Sequence, residues 1–370
     1  MPGTINLATK YSSKIDEVII NGAQSAPSIN NDYSFVDAQT VKVYSFDPVA
    51  MNDYTRSGSN RFGNPDELPD TTQTLTLTQD RAFTFTIDKG NKIDTPAGVR
   101  DAAKALRRQI DLVIQPEVDK YRFAVIADNA AHKFFATSGI SASTAYDQFL
   151  TANQAIDDAD VPTGGRVCNA SPKFINLLKQ DDAFIKSGDL SQEMLIKGQV
   201  GEVDGVAIVK TSRLPAGCLF EITHPLACVA PVKLEEYRIH QDPPGISGQL
   251  AEGRIYYDAF VLNKKANMIS VCYGDTGAGL TLTAAAGSSS TQSIVTVSGN
   301  TMGGELKYKG DFASSAAATG AIDVGDDASA WTAFPSDGKV TTASGKYIAV
   351  AVVVDGKVVS GGTVAAVVGA

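Results

Sequence analysis

The sequence predicts an α+β fold in three parts: an extended β ribbon leading into one long helix, a mixed α/β region, and a small all-β unit at the C-terminal end. Three observations carry this prediction. Apolar residues alternate with period two over Thr74–Ile87, they recur at spacings of three and four from Val99 to Val113 and again after Pro116, and the composition changes abruptly after Gly274. A chain of 370 residues is long enough for two or three domains with cores of their own.

Residues 1–40 read as an N-terminal arm. Asn21-Gly22, Ala26-Pro27 and Asn30-Asn31-Asp32 break it repeatedly, with one short amphipathic piece around Ile15–Ile20. A segment with so little apolar surface has to lie on something else.

Residues 41–93 read as an extended β hairpin. Val41–Phe46 is one strand, and Thr74–Ile87 (TLTLTQDRAFTFTI) the other. Leu75, Leu77, Phe83, Phe85 and Ile87 share one parity, while Gln79 and Arg81 occupy the middle of that face. At about 3.3 Å per residue such a strand would reach roughly 45 Å, longer than usual, so its outer part should project from the core. The polar connection Asp47–Asp70 carries Pro48, Gly58, Gly63, Pro65 and Pro69 together with Tyr54, Arg56, Arg61 and Phe62. A loop of that length in a compact domain is usually functional or disordered. Aromatic and arginine side chains on a projecting arm suit contact with a neighbouring subunit. Tyr54, Arg56, Arg61, Phe62 and Arg81 are the candidate contact residues.

Residues 94–139 hold the long helix. Thr95-Pro96 is an N-cap followed by proline at the first helical position, and Val99, Ala103, Leu106, Ile110 and Val113 form one apolar stripe. Pro116 predicts a kink or a restart before the pattern resumes through Val118, Tyr121, Val125 and Ile126.

Residues 140–250 are mixed α/β. A helix over Tyr146–Asp157, a short strand after Arg166, a helix opened by Ser171-Pro172, and a turn-rich ribbon from Gly198 into the strand Val206–Val209 follow in order. Residues 251–275 read as two closing strands joined by a Lys264-Lys265 turn. Residues 276–370 contain no arginine or cysteine and are rich in alanine, glycine, serine and threonine. Strand-like runs at Leu280–Thr283, Ile294–Val297, Glu305–Lys309 and Tyr347–Val354, and a hairpin signal at Asp355-Gly356, predict an all-β domain, a sandwich (Ig-like) or a barrel.

Chemistry is sparse. His132, His224 and His240 are far apart, and none has a histidine or cysteine nearby to complete a metal site; each reads as a helix-face or loop residue. Cys168, Cys218, Cys228 and Cys272 sit in or beside apolar stretches and read as small core residues of a reducing compartment. Gly338-Lys339, Gly345-Lys346 and Gly356-Lys357 lack the following hydroxyl of a phosphate-binding loop, and Gly245-Ile246-Ser247-Gly248 is one residue short of a nucleophile elbow. The acidic groups at Asp157, Asp158, Asp160, Asp326 and Asp327 lack the spacing of a dedicated calcium loop. The expectation is no enzyme, no cofactor and no metal. A net charge of -9 argues against tight binding of nucleic acid over the whole surface. With no basic flank and apolar run at its start, and no run of about twenty apolar residues, the chain is expected to stay in the cytoplasm that makes it.

This order of parts resembles the major capsid proteins of tailed bacteriophages, the Hong-Kong-ninety-seven-type fold. Four phrases carry the resemblance: Gln115–Phe123 (QPEVDKYRF), Val161–Val167 (VPTGGRV) before Ser171-Pro172, the spaced glycines Gly198, Gly201 and Gly205 leading to Ser212 and Leu214-Pro215, and Gly253–Leu262 (GRIYYDAFVL). The resemblance implies that 41–93 is the loop lying across a neighbour and that 94–139 is the spine helix of a peripheral domain. It makes 140–250 an axial domain meeting its copies around symmetry axes, and 251–275 the return to the peripheral domain. Residues 276–370 lie outside the shared fold and are expected on the outer surface. Hexamers and pentamers closing into an icosahedral shell around double-stranded DNA, in the virion and assembled in the bacterial cytoplasm, are the implied function. Scaffolding and portal proteins are the implied partners, with no membrane. No lysine–asparagine crosslink pair is matched. The rival readings are an encapsulin-like compartment and, of another class, a bacterial surface or adhesion protein.

Overall fold

A computed structural model of the chain describes residues 23–30, 32–33, 40–64, 67–93, 102–136, 139–182, 184, 201–274 and 279–369. Strands β1 (Thr40–Phe46) and β2 (Asp70–Thr76) pair antiparallel along their whole length, from Thr40 opposite Thr76 to Phe46 opposite Asp70. The stretch Thr74–Ile87 is therefore not one strand. It breaks after Thr76, and β3 (Gln79–Asp88) joins a different sheet. The cause is Asp258, whose carboxylate accepts the backbone N–H (2.7 Å) and the hydroxyl (2.9 Å) of Thr78. Backbone direction changes there while the alternation of side chains runs on, which is why the parity looked continuous.

After α1 (Lys89–Ile93), the cap signal at Thr95-Pro96 falls outside the described residues. Helix α2 (Ala102–Gln109) runs through a π turn, Ile110–Ile114, into α3 (Gln115–Asp128) without stopping at Pro116. Proline lacks an N–H and crowds the carbonyl one turn back. The wider turn just upstream, closed by the Gln115 N–H on the Ile110 carbonyl, accommodates it inside a continuous rod.

The middle of the chain runs β4 (His132–Phe135), α4 (Ala145–Asp157), β5 (Val167–Ala170), α5 (Pro172–Leu178), β6 (Glu202–Val203), β7 (Val206–Lys210), β8 (Cys218–Thr223), β9 (Cys228–Val229), β10 (Val232–Gln241), β11 (Gly248–Tyr257), β12 (Phe260–Val261) and β13 (Ile269–Tyr273). The Ser171 hydroxyl accepts from the Phe174 N–H, so the Ser-Pro start of α5 is a true cap. Strands β11 and β13 are not a hairpin about Lys264-Lys265. A 3-10 helix, Asn263–Met268, carries the chain from one sheet to another.

Two sheets organise this body. In the antiparallel sheet β10-β11-β3, Ile255, Tyr257 and Phe83 pack on Ile114, Val118 and Tyr121 of the long helix. The mixed sheet β4-β13-β8-β5-β7-β6 is covered on both faces. Cys168, Ala170, Phe220, Ile222 and Cys272 meet α4 and α5, whereas Cys218, Ile269, Val271 and Tyr273 meet α3. Double coverage explains why β8 and β13 are buried at every position.

The C-terminal segment runs β14 (Leu280–Ala286), β15 (Gln292–Gly299), β16 (Glu305–Phe312), α6 (Ser315–Thr319), β17 (Thr332–Ala333), β18 (Lys339–Thr341), β19 (Tyr347–Val354) and β20 (Lys357–Ala365). It forms two antiparallel sheets, β14-β15-β18 and β17-β16-β19-β20. The turn between β19 and β20 places Asp355 at φ 49° and Gly356 at φ 77°, the geometry a two-residue hairpin demands. Leu280, Val295, Val340, Ile348, Val350, Val352 and Val359 form one core with Phe123, Ile126 and Tyr273 of the body. The segment is thus fused to the body through a common interior. Gly217 marks the closest approach, since a Cβ there would fall 1.8 Å from the Val359 carbonyl oxygen.

Candidate functional site

Among the described residues, the ribbon β1–β2 and its connecting loop hold most of the exposed large apolar side chains. Its base is anchored: Val43, Leu75 and Leu77 are buried with Val229 and Leu262, and the Gln73 side chain donates to the Val261 carbonyl (2.9 Å) and accepts from the Asn263 N–H (2.9 Å). Lys264 pairs with Asp47 just beyond β1. On the opposite face of β1 Tyr44 and Phe46 are exposed, and beyond Asp47 so are Val49, Tyr54 and Leu68, with Phe62 82% exposed and Met51 99%.

The loop nevertheless has internal order. Thr55 N–H donates to the Arg61 carbonyl (3.0 Å), Gly63 N–H to the Asn60 carbonyl (3.0 Å), and the Arg61 guanidinium to the Gly58 carbonyl (3.2 Å). Tyr54 and Phe62 meet edge to face with centroids 5.0 Å apart. A two-stranded ribbon in water is marginal, and both of its outer edges carry unpaired backbone groups. Apolar side chains displayed on such a ribbon make it the candidate contact surface.

Of the sequence candidates, Tyr54, Arg56, Arg61 and Phe62 share this loop and are exposed. Arg81 does not join them. It lies on β3, and its guanidinium pairs with Glu117 of α3 at 2.8 Å. Sequence reasoning missed Tyr44, Phe46, Met51 and Leu68. A signal existed, because Val41 and Val43 share one parity of β1 while Tyr44 and Phe46 share the other, and a strand apolar on both faces needs two coverings.

Elsewhere the polar groups act as internal struts. Buried Asp119 accepts from the Gln24 N–H (2.8 Å), the Ser25 hydroxyl (2.6 Å) and Arg213 (2.6 Å), which ties residues 24–25 of the arm to α3. Arg166, 1% exposed, reaches Asp157, Asn153 and the Val161 carbonyl. Glu221 is fully buried, and burial pushes its carboxyl well above the usual range. All four cysteines are free and buried; burial raises the thiols, those of Cys228 and Cys272 to about 12. His132 and His240 lie on β4 and β10, not on a helix or loop, and His224 caps the Leu226 N–H. Among the described residues no three His, Cys, Asp or Glu side chains converge as a metal site, and no helix is long and apolar enough to cross a membrane.

No protein-family model and no curated protein sequence matches the chain. Solved structures do. A structure of mycobacterium phage Che8 superposes with a TM-score of 0.62 at 17% identity, covering 72% of this chain and 96% of that one. The capsid structure of cyanophage P-SCSP1u gives 0.59 at 12% identity, covering 72% and 92%. The mature capsid of bacteriophage PhiM1 gives 0.58 at 13% identity, covering 73% and 92%. The chain has the fold of a phage major capsid protein.

Proposed function

We propose that this chain is the major capsid protein of a tailed bacteriophage, a subunit that closes into an icosahedral shell around double-stranded DNA. The observation that carries the reading is the ribbon of residues 40–76, anchored at its base and bare and apolar along its outer part, on a fold of this kind. Its occupant is the next copy of the chain, against which Tyr54, Phe62 and Met51 bury their side chains while Arg56 and Arg61 form the polar rim. Heterologous contacts of this sort generate rings when the rotation closes, here hexamers and pentamers, and rings that join at slightly different angles generate a sphere.

Within this reading residues 94–139 are the spine, 140–250 the axial domain and 251–275 the closing part of the peripheral domain. The share left uncovered by the solved capsids is about a quarter of the chain, the size of segment 276–370, which we place on the outer face as a sandwich-like addition. A scaffolding protein and a portal complete the assembly. Expression alone and with a co-expressed scaffold, followed by sedimentation and negative-stain microscopy, tests the proposal. Five- and six-fold rings or closed shells are expected, and a compact monomer under both conditions refutes it.

A further inference from the structure

The C-terminal segment carries a cleft lined by residues other than those of the ribbon. Its volume is about 380 Å³, and Tyr308, Lys309, Asp327, Trp331, Thr332 and Thr341 border it. Several independent features build it. Trp331, the one tryptophan of the chain, packs against Ala328, Ala351 and Val358 and keeps part of its surface exposed at the cleft. Tyr308 is steadied by an edge-to-face contact with Phe334, centroids 6.3 Å apart, and lies opposite Thr332 in the β16–β17 pairing. Next to Lys309 the β16–β19 register shifts, and Asp311 takes a positive φ of 64°. The Asp311 carboxylate accepts from the Thr342 hydroxyl and the Ala343 N–H, fixing this irregular end of the strand beside Thr341. Bulges of this kind re-aim side chains next to binding sites.

We propose that this cleft binds a neutral saccharide of one or two pyranose rings. A pyranose has an apolar C–H face and a rim of hydroxyls. The cleft offers the complement: two aromatic side chains, a carboxylate acceptor in Asp327, and threonine hydroxyls that donate or accept. Its volume is at the small end of ligand sites, which run from about 300 Å³ upward. The side chains bordering the cleft carry one carboxylate, Asp327, and one ammonium, Lys309, whose Nζ lies 5.7 Å from the centre of the Phe312 ring, so the lining has no net charge to favour an ionic ligand over a neutral one. Hydrogen bonding from Ser329 holds the Asp327 carboxyl below its ordinary range, so it stays an ionised acceptor at neutral pH.

Because Trp331 is the sole tryptophan, its emission reports on this cleft alone. Full-length protein, assembled or not, is titrated with cellobiose, lactose, maltose and chitobiose while tryptophan emission is followed. At least one sugar is expected to give a saturable shift, and Asp327→Asn to weaken that sugar at least about tenfold with the circular dichroism unchanged, the loss of one charge-assisted hydrogen bond. Trp331→Phe, read by calorimetry, should retain weakened binding and so separates contact from folding. No saturable shift with any of the four sugars, a shift that Asp327→Asn leaves unaltered, or a response only to a mononucleotide used as the anionic control overturns the proposal. These outcomes are independent of whether the chain forms shells.

Discussion

Asp119 on α3 and Arg213 after β7 form an ion pair of 2.6 Å with both side chains almost completely buried. The pair joins the long helix to the segment that leads to Gly217 and the C-terminal strands, and Asp119 also holds the arm at Ser25. Removing one partner of a buried pair strands the other charge in a low-dielectric interior.

Asp119→Ala is therefore expected to lower unfolding stability by about 3–5 kcal/mol. Arg81→Ala, which breaks an exposed pair with Glu117, should cost no more than about 1 kcal/mol. Denaturant midpoints of the two variants, compared at equal slope, check the contrast. Equal losses would contradict the burial of the Asp119–Arg213 pair.

Gly217 combines a positive φ of 66° with the 1.8 Å approach of the Val359 carbonyl. Gly205 has a similar φ of 73° with nothing within 4 Å of an added Cβ. Gly205→Ala should cost about 1–2 kcal/mol, the strain of a left-handed residue alone. Gly217→Ala should cost about 1–3 kcal/mol more, because the C-terminal sheet must shift off the body. Chemical unfolding measures the difference.

Glu221 sets a pH dependence. Its Oε1 accepts from Asn169 (3.1 Å), its Oε2 has no partner, and burial raises its carboxyl well above 4.5. The folded state therefore holds a proton that the unfolded state releases. This contribution is complete below pH 4.5 and is lost as pH rises toward the folded-state value, by up to about 1.4 kcal/mol per pH unit. Glu221→Gln should flatten that decline and match or exceed the wild type at pH 8. Stability measured from pH 5 to 9 reads the slope, and identical slopes would disprove the assignment.

The four thiols are both buried and raised, so the folded protein should consume no maleimide at pH 7.5 over an hour, and four equivalents should react after denaturation. Fast labelling of even one thiol in the folded state would contradict the burial.

At the ribbon, the paired change Tyr54→Ser and Phe62→Ser leaves the base residues Val43, Leu75 and Leu77 untouched. It should preserve the circular dichroism of the chain while reducing the yield of rings or shells by more than about tenfold. Sedimentation velocity distinguishes a loss of assembly from a loss of folding.

Local chemistry was legible from residue order alone. Ser171-Pro172 had to start a helix, Asp355-Gly356 had to turn a hairpin, and the spacing from Tyr146 to Asp157 had to wind into a helix, because each instruction acts within a few residues. The exposed ribbon was visible for the same reason, as a proline- and glycine-punctuated polar stretch between two strands, and Tyr54 and Phe62 were found with it. What the tertiary structure alone decided depends on residues far apart in sequence. Thr78 breaks the Thr74–Ile87 strand because Asp258, 180 positions later, captures it. Arg81 lies apart from the loop that holds Tyr54 and Phe62 because β3 joins another sheet, where its guanidinium pairs with Glu117 of α3. The C-terminal strands, whose composition marked them as a separate unit, share one interior with α3 and β13. Alternation and composition record how a segment is patterned; which surface completes it is set by packing, and packing exists only once the chain has folded.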